Sequence, residues 1–403
     1  MRIAFLSATA RPGGAERVLL DLLASLRVAE PGWSLHLVSG AAGWLPDRAA
    51  ELGVSVSILP LPPALAALGD AGLSGASSRL ALLVRLALAT RPTLGWLARL
   101  RAELRRIAPD VVHTNGFKMH VLGAYALPPG GKLVWHLHDY LTPRRLMARV
   151  MRHAETRCQL AIAVSDSVAA DARVATGGGL PVLTVRNAVD LERFAPDGER
   201  LDLAGAAGMP PAAPGTVSVG LVATMGVWKG HAVFLDAVAR LPRALPVRAY
   251  VVGGGIYRTA GSEVSVDSLR ARAEALGIAD RVGFTGFVDD PAAALRALDV
   301  VVHASTQPEP FGLVIAEAMA CARPVVVSAA GGAAEIVRDG VDALAVPPGD
   351  AAALAAAIER LARDADLRTA LGRAGRETAL RDFDRARLGA EVARLYPYAV
   401  GEG

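Results

Sequence analysis

Lysine is almost missing from this chain: only Lys118, Lys132 and Lys229 occur in 403 residues, so nearly all of the positive charge is arginine. Cysteine is as scarce, with Cys158 and Cys321 the only two. That excludes a disulfide framework and points to a reducing compartment. Aromatic residues make up 5% and no basic stretch is interleaved with them, so a nucleic-acid partner is not expected despite a net charge of +4. No uncharged apolar run is long enough to span a bilayer; the stretch from Leu80 to Leu100 is interrupted by Arg85, Arg91, Pro92 and Arg99. Residues 1–9 are too short for a signal-peptide core and read as a first strand, so a cytoplasmic location is expected. The chain also lacks a phosphate-loop Gly-Lys-Ser/Thr, a Gly-x-Ser-x-Gly elbow and any His/Cys/Asp cluster with metal-ligand spacing. No bound metal and no organic cofactor are therefore expected.

What is present is a repeating pattern. Hydrophobic residues make up 52% and charged residues 20%, enough apolar area for more than one core. Short apolar runs alternate with amphipathic stretches. Arg2–Ser7, Ser34–Ser39, Val54–Leu59, Pro109–His113, Leu133–Leu137 and Leu160–Val164 read as strands in the first half. Val217–Ala223, Val247–Val252, Val282–Thr285, Val300–Val302 and Val325–Val327 read as strands in the second. Such runs separated by helices predict parallel sheets with helices on both faces. The pattern restarts near residue 190, so the expected organisation is two doubly wound, Rossmann-like α/β domains facing a central cleft. The boundaries are 1–190 and 191–375, with a C-terminal helical segment, 376–403, crossing back to the first domain. Residues 60–78 read as a surface loop, and Leu80–Ile107 as helical with a break at Arg91-Pro92.

The most informative stretch runs from Pro308 to Glu317. Glu309 and Glu317 flank a Pro-Phe-Gly corner, between the strand Val300–Val302 and a helix running through Ala318-Met319-Ala320. Glu317 is placed early in that helix. A helix start offers free N–H groups and a partial positive charge, which suits a phosphate. Carboxylates beside it suit sugar hydroxyls. Gly13-Gly14, between the first strand and its helix, is a second phosphate-cradling position; it is not the spaced triple-glycine fingerprint, so a nicotinamide dehydrogenase is disfavoured. Gly253-Gly254-Gly255 ends another strand and offers a backbone lining for a ligand. Lys229, in Trp228-Lys229-Gly230-His231, is positioned to neutralise a diphosphate. His138, at a strand end, is a candidate donor to a sugar hydroxyl or phosphate, with a structural pairing to Asp139 as the alternative. His113 is a comparable candidate.

Together these residues resemble the retaining glycosyltransferase family 4, of GT-B fold (glycosyltransferase group 1), over nearly the whole chain. The resemblance rests on Gly13-Gly14-Ala15-Glu16-Arg17, Pro109-Asp110-Val111-Val112-His113, His138-Asp139, Ala163-Val164-Ser165, Asn187-Ala188-Val189-Asp190, Trp228-Lys229-Gly230, Gly283-Phe284-Thr285-Gly286-Phe287-Val288, the Glu309/Glu317 pair and Gly331-Gly332-Ala333-Ala334-Glu335. It implies that Glu309 binds hydroxyls of the donor sugar and Glu317 the ribose. The backbone of Phe311, Gly312 and Leu313 would meet sugar and diphosphate, Lys229 and Gly14 would hold the diphosphate, Val288 would flank the base, and His138 would lie near the transferred sugar. There are three departures. Thr224-Met225-Gly226-Val227 lacks the arginine the family usually carries before the lysine, leaving Arg258 or another arginine to substitute. Asn187-Ala188 replaces Asn-Gly, so a different turn is expected there, and Asp342-Ala343 stands where glycine is common.

The function implied is retaining transfer of a sugar from a nucleotide-diphosphate sugar to a hydroxyl of a glycan, lipid-linked saccharide or small molecule, without metal. The alternatives are a nucleotide-sugar 2-epimerase on the same fold, a non-catalytic donor-binding subunit and a periplasmic-type sugar-binding protein; the absent export signal counts against the last. Arginines cluster at Arg99, Arg101, Arg105 and Arg106, and at Arg144, Arg145, Arg149, Arg152 and Arg157. They read either as solvated helix faces or as a peripheral contact with an anionic membrane on the cytoplasmic face.

Overall fold

The apolar runs form strands whose pairings are all parallel, in two sheets. The computed structural model describes residues 1–66, 79–255 and 263–401. The first sheet comprises β1 (Arg2–Ser7), β2 (Ser34–Ser39), β3 (Ser55–Ile58), β4 (Val111–Asn115), β5 (Leu133–Leu137), β6 (Leu160–Ala163) and β7 (Val182–Thr184), in the order β3-β2-β1-β4-β5-β6-β7. The second comprises β8 (Val217–Val222), β9 (Val247–Val252), β10 (Val282–Gly286), β11 (Val300–His303), β12 (Val325–Ser328) and β13 (Leu344–Val346), in the order β10-β9-β8-β11-β12-β13. The sequence reading omitted β7 and β13; at three residues each, they are too short for periodicity to register.

The strands are apolar because helices cover both faces of each sheet. In the first unit Ile3, Phe5, Val111, Val134 and Ile162 pack with Leu19, Leu22, Leu23 and Leu26 of the helix Gly14–Ala29. In the second, Val219, Leu221, Val251, Val302 and Val326 pack with Phe234, Leu235 and Val238 of the helix His231–Arg240. The helix Arg79–Ile107 runs through Pro92, where the sequence reading expected a break. An internal proline gives up a backbone bond, and the buried side chains of Trp96, Leu100 and Leu104 anchor the half that follows.

One compact unit is Met1–Ala188 with Arg385–Gly403, and the other is Val189–Asp384. The boundary expected at 375/376 falls inside the continuous helix Ala365–Asp382. The division comes instead after Asp384, where Val189 N–H donates to Phe383 O at 2.7 Å within the second unit. The helix Arg385–Ala393 belongs to the first unit. Gly389 N–H donates to Ser25 Oγ at 2.7 Å, and Arg387 donates to the Arg186 and Asn187 carbonyls at 2.8 Å each. A Cβ on Gly389 would lie 2.4 Å from the Ser25 carbonyl carbon, so this crossing requires glycine. The Asn187-Ala188 turn needs no glycine: among the described residues Ala108 and Ala322 are the only non-glycine positions with positive φ.

In each sheet the strand order reverses once, between β1 and β4 and between β8 and β11. Loops leaving the carboxyl ends of such neighbouring strands diverge and open a crevice.

Candidate functional site

In the second unit the loops leaving β8 and β11 bring two of the expected residues together. Lys229 ends a single 3-10 turn, Val227–Lys229, and its Nζ lies 2.5 Å from Glu309 Oε1. The side chains retain only 19% and 13% of their accessible surface. Thr306 N–H donates to the Trp228 carbonyl at 2.8 Å, tying the two loops directly. Gly230, at φ 74°, closes the turn; a Cβ there would lie 1.8 Å from the Ala304 carbonyl oxygen. Glycine at 230 therefore allows the lysine loop to approach the end of β11.

Three groups surround the Glu309 carboxylate. Besides Lys229, Ser305 Oγ donates to Oε2 at 2.6 Å, and His303 Nε2 lies 3.4 Å from the same oxygen. Burial alone would raise the Glu309 pKa. The Lys229 charge and the His303 contact outweigh it and hold the group well below the usual carboxylate range. Its backbone is fixed too, with N–H to Ala330 O at 3.2 Å and C=O from Gly332 N–H at 2.8 Å. Sequence reasoning did not single out His303 or Ser305. The signal was there, since both lie at the carboxyl end of β11, where ligand-facing groups collect.

Gly312, at φ 95°, caps the helix Leu313–Ala320. Glu317 is its fifth residue, later than the sequence reading placed it. Leu313 and Glu317, one helical turn apart, are half-buried, whereas Ile315, Ala316 and Ala318–Ala320 are buried. The two thus share the helix's accessible face. The Phe311 side chain is 3% exposed and packs edge-on against Phe383, so only its backbone is available to a ligand. Gly254 lies where three strand-end loops converge: Gly253 N–H donates to Gly286 O at 2.9 Å, and Met225 N–H to Gly254 O at 3.3 Å. Val288 follows two residues after β10, half-buried. His231 begins its helix beside Lys229, and burial, then the lysine charge, lowers its pKa to about 4. Thr224 stands where the arginine was expected; its Oγ1 is buried without a partner. Arg258, the suggested substitute, lies outside the described residues.

In the first unit, Gly13, Gly14 and His138 lie at the corresponding switch point. Gly13 caps the helix Gly14–Ala29, whose first residues remain accessible. Asn115, at the end of β4, joins this helix to His138: its Nδ2 donates to Ala15 O at 3.3 Å, and its Oδ1 lies 2.5 Å from His138 Nε2. Because the amide nitrogen points at Ala15, Oδ1 must accept from His138. The imidazole then carries its proton on Nε2 and keeps a lone pair on Nδ1. Burial, then the neighbouring histidines, holds its pKa well below the ordinary value, so the ring is neutral. Asp139 pairs with Arg144 at 2.6 Å and not with His138. His113 is fully buried and bonded to His136 and Tyr396; it is a core residue, not a ligand-facing one.

Each unit therefore presents a helix start and a polar strand end at its switch point, the arrangement of α/β proteins that bind phosphorylated ligands. The comparisons agree. Residues 12–193 match the model of glycosyltransferase family 4, and residues 214–378 that of the glycosyl transferases group 1. The chain belongs to this family of GT-B glycosyltransferases. It is 40% identical over 157 residues to the lipopolysaccharide core biosynthesis glycosyltransferase LpsE of Rhizobium meliloti, covering 39% of this chain and 43% of that protein. It is 35% identical over 178 residues to the phosphatidyl-myo-inositol mannosyltransferase of Mycobacterium leprae, covering 43% of this chain and 44% of that protein. The chain thus matches less than half the length of these curated relatives. Among solved structures, Anabaena HepE in complex with UDP-glucose superposes with a TM-score of 0.77 at 27% identity, over 98% of both chains.

Proposed function

We propose that this protein is a retaining glycosyltransferase that moves a sugar from a nucleotide-diphosphate sugar to a hydroxyl of a glycan, lipid-linked saccharide or small molecule, without a bound metal. The observation that carries this reading is the Lys229–Glu309 pair at the β8/β11 switch point, beside the helix start at Gly312. A donor replaces one ion pair with two contacts: Lys229 turns to the diphosphate, and Glu309 accepts from sugar hydroxyls. Glu317, on the accessible face with Leu313, takes the ribose, while the Val288 and Gly254 backbones flank the rest of the donor. His138, with its lone pair on Nδ1, accepts from a hydroxyl. Gly14 offers its amide to phosphate, whereas the Gly13 N–H, also expected to do so, already donates to Arg11 O at 2.8 Å.

Breaking the sugar–phosphate bond places positive charge on the ring and negative charge on the leaving diphosphate. Lys229 and the helix start supply preorganised positive potential for the second. Glu309 is unsuited to act as a general base, because its partners hold it ionised with a depressed pKa. The departing phosphate oxygen takes the acceptor proton instead, so attack and departure share one face and configuration is retained.

UDP-glucose is the first donor to test, because HepE binds it. The experiment is turnover of UDP-glucose and related nucleotide-sugars, with product configuration read by NMR. Retention supports the proposal; an inverted product overturns it. Release of an epimer without acceptor points to the epimerase, and donor binding with no turnover to a donor-binding subunit.

The helix Arg145–Ala154 favours a membrane-linked acceptor and a cytoplasmic-face location. Leu146 and Val150 are 41% and 37% exposed, one turn apart, among the exposed Arg145, Arg149 and Arg152. Apolar residues set in arginines suit an anionic bilayer surface. Co-sedimentation with phosphatidylglycerol vesicles but not phosphatidylcholine vesicles is expected, and Leu146→Asp with Val150→Asp abolishes it. No helix among the described residues is long and apolar enough to cross a membrane.

A further inference from the structure

The first unit holds a buried polar chain that the proposed reaction does not use directly. It begins on the C-terminal segment. Tyr396, fully buried in the short helix Tyr396–Val400, has its hydroxyl 2.9 Å from His113 Nδ1. His113 Nε2 lies 3.2 Å from His136 Nδ1. The His136 ring lies against the His138 ring, centroids 4.2 Å apart and planes tilted by 34°. His138 in turn bonds to Asn115, as described above. His113 and His136 are both fully buried.

The proton positions follow from the partners. Either order of donors leaves one hydrogen of the chain unmet, on the Tyr396 hydroxyl or on His136 Nε2, which has no partner; what decides is that a phenol O–H is the more acidic donor and a neutral imidazole nitrogen the better acceptor. The hydroxyl therefore donates to His113 Nδ1. His113 then carries its proton on Nε2 and donates to His136 Nδ1, so His136 is protonated on Nε2. Burial keeps both rings neutral, which preserves this order of donors and acceptors. A ring held by such a bond resists rotation, and His136 is the platform on which the His138 ring rests.

We propose that Tyr396 is a positioning residue: its hydroxyl fixes the tautomer and orientation of His113 and, through it, of His136, and thereby holds the ring of His138. Tyr396 is 283 residues from His113 in sequence and 258 from His138. The C-terminal segment thus reaches the strand-end site without touching a ligand. The consequence for turnover rests on the role assigned above to His138; the tautomer assignment does not.

The test uses the full chain labelled at histidine nitrogen. Long-range proton–nitrogen correlation spectra distinguish the two neutral tautomers. The wild type should show His113, His136 and His138 all protonated on Nε2. In Tyr396→Phe, His113 should lose its single tautomer, and the His136 and His138 signals should shift, while those of His231 and His303 in the other unit stay in place. With UDP-glucose as donor, kcat should fall roughly tenfold, because small misplacements of a reacting group are costly, with donor KM changed less than about twofold. A wild-type His113 protonated on Nδ1 overturns the proposal, as do unmoved His138 signals in the variant. The wild-type spectrum decides the tautomers even if Tyr396→Phe folds poorly. If His138→Ala leaves turnover unchanged, the catalytic reading fails while the tautomer result still stands or falls separately. Unchanged kcat in Tyr396→Phe, in a protein where His138→Ala is inactive, overturns the positioning role.

Discussion

Glu309 carries a buried negative charge, and what it can do depends on the three groups around it. Losing Lys229 removes the lysine charge that faces it. Lys229→Met should destabilise the second unit by about 3 kcal/mol, since a buried carboxylate is left uncompensated. Adding Glu309→Gln in the same background should recover most of that stability and none of the activity. Urea unfolding beside UDP-glucose turnover separates the two effects. Glu309→Gln alone should fold and lose on the order of 100-fold or more in kcat, if its carboxylate contacts strengthen in the transition state; unchanged turnover would remove Glu309 from the site. The two glutamates were legible from their spacing around Pro310-Phe311-Gly312. The ion pair was not, because its partners are 80 residues apart in the chain and only the strand order brings their loops together.

Among the elements, two glycines hold parts of the chain closer than any side chain permits. Gly230 sets the lysine loop against the end of β11. Gly230→Ala places a methyl group on the Ala304 carbonyl at a positive φ, so the loop must move and take Lys229 with it. The expected result is a folded protein with sharply reduced donor turnover, checked by circular dichroism and kinetics together. Gly389→Val meets backbone atoms of the helix Gly14–Ala29 instead. Overpacking of this kind costs about 1–3 kcal/mol, and melting of the first unit should fall by roughly 2–4 °C for each kcal/mol. Most strands were readable as runs of Val, Ile and Leu. The close crossing of the C-terminal helix was not: a lone glycine in a helical stretch carries no sign of what approaches it.

For the molecule as a whole, buried histidines set the response to acid. Burial lowers the pKa of His120 and His136 to about 3, and that of His113 well below 6.5. The unfolded chain binds protons at these positions as pH drops through about 6.5, whereas the folded chain does not, so stability is full above that pH and declines below it. Each fully neutral histidine contributes a slope of about 1.4 kcal/mol per pH unit between its two pKa values. His138, the one ring of the group that keeps some accessible surface, counts for less. In the second unit His231 adds one such term, and the depressed Glu309 contributes stability present above the ordinary carboxylate pKa and lost on further acidification. The first unit should therefore unfold first as pH falls from 6.5 towards 4. Trp135, stacked on His120, reports that transition by fluorescence, and Trp228 reports the second unit. Simultaneous loss of both signals would contradict the assignment.

The amino-acid sequence by itself determined the repeated strand–helix pattern, the restart near residue 190, the pairing of Glu309 with Glu317 and the family resemblance, because these rest on local periodicity and short spacings. Tertiary structure alone decided which carboxylate the rare lysine meets, that His113 belongs to a buried chain rather than a binding surface, and that the C-terminal segment crosses to the first unit after Asp384 and meets Ser25 at Gly389. Contacts across 80 to 364 residues depend on strand order and helix crossings, which no local pattern encodes.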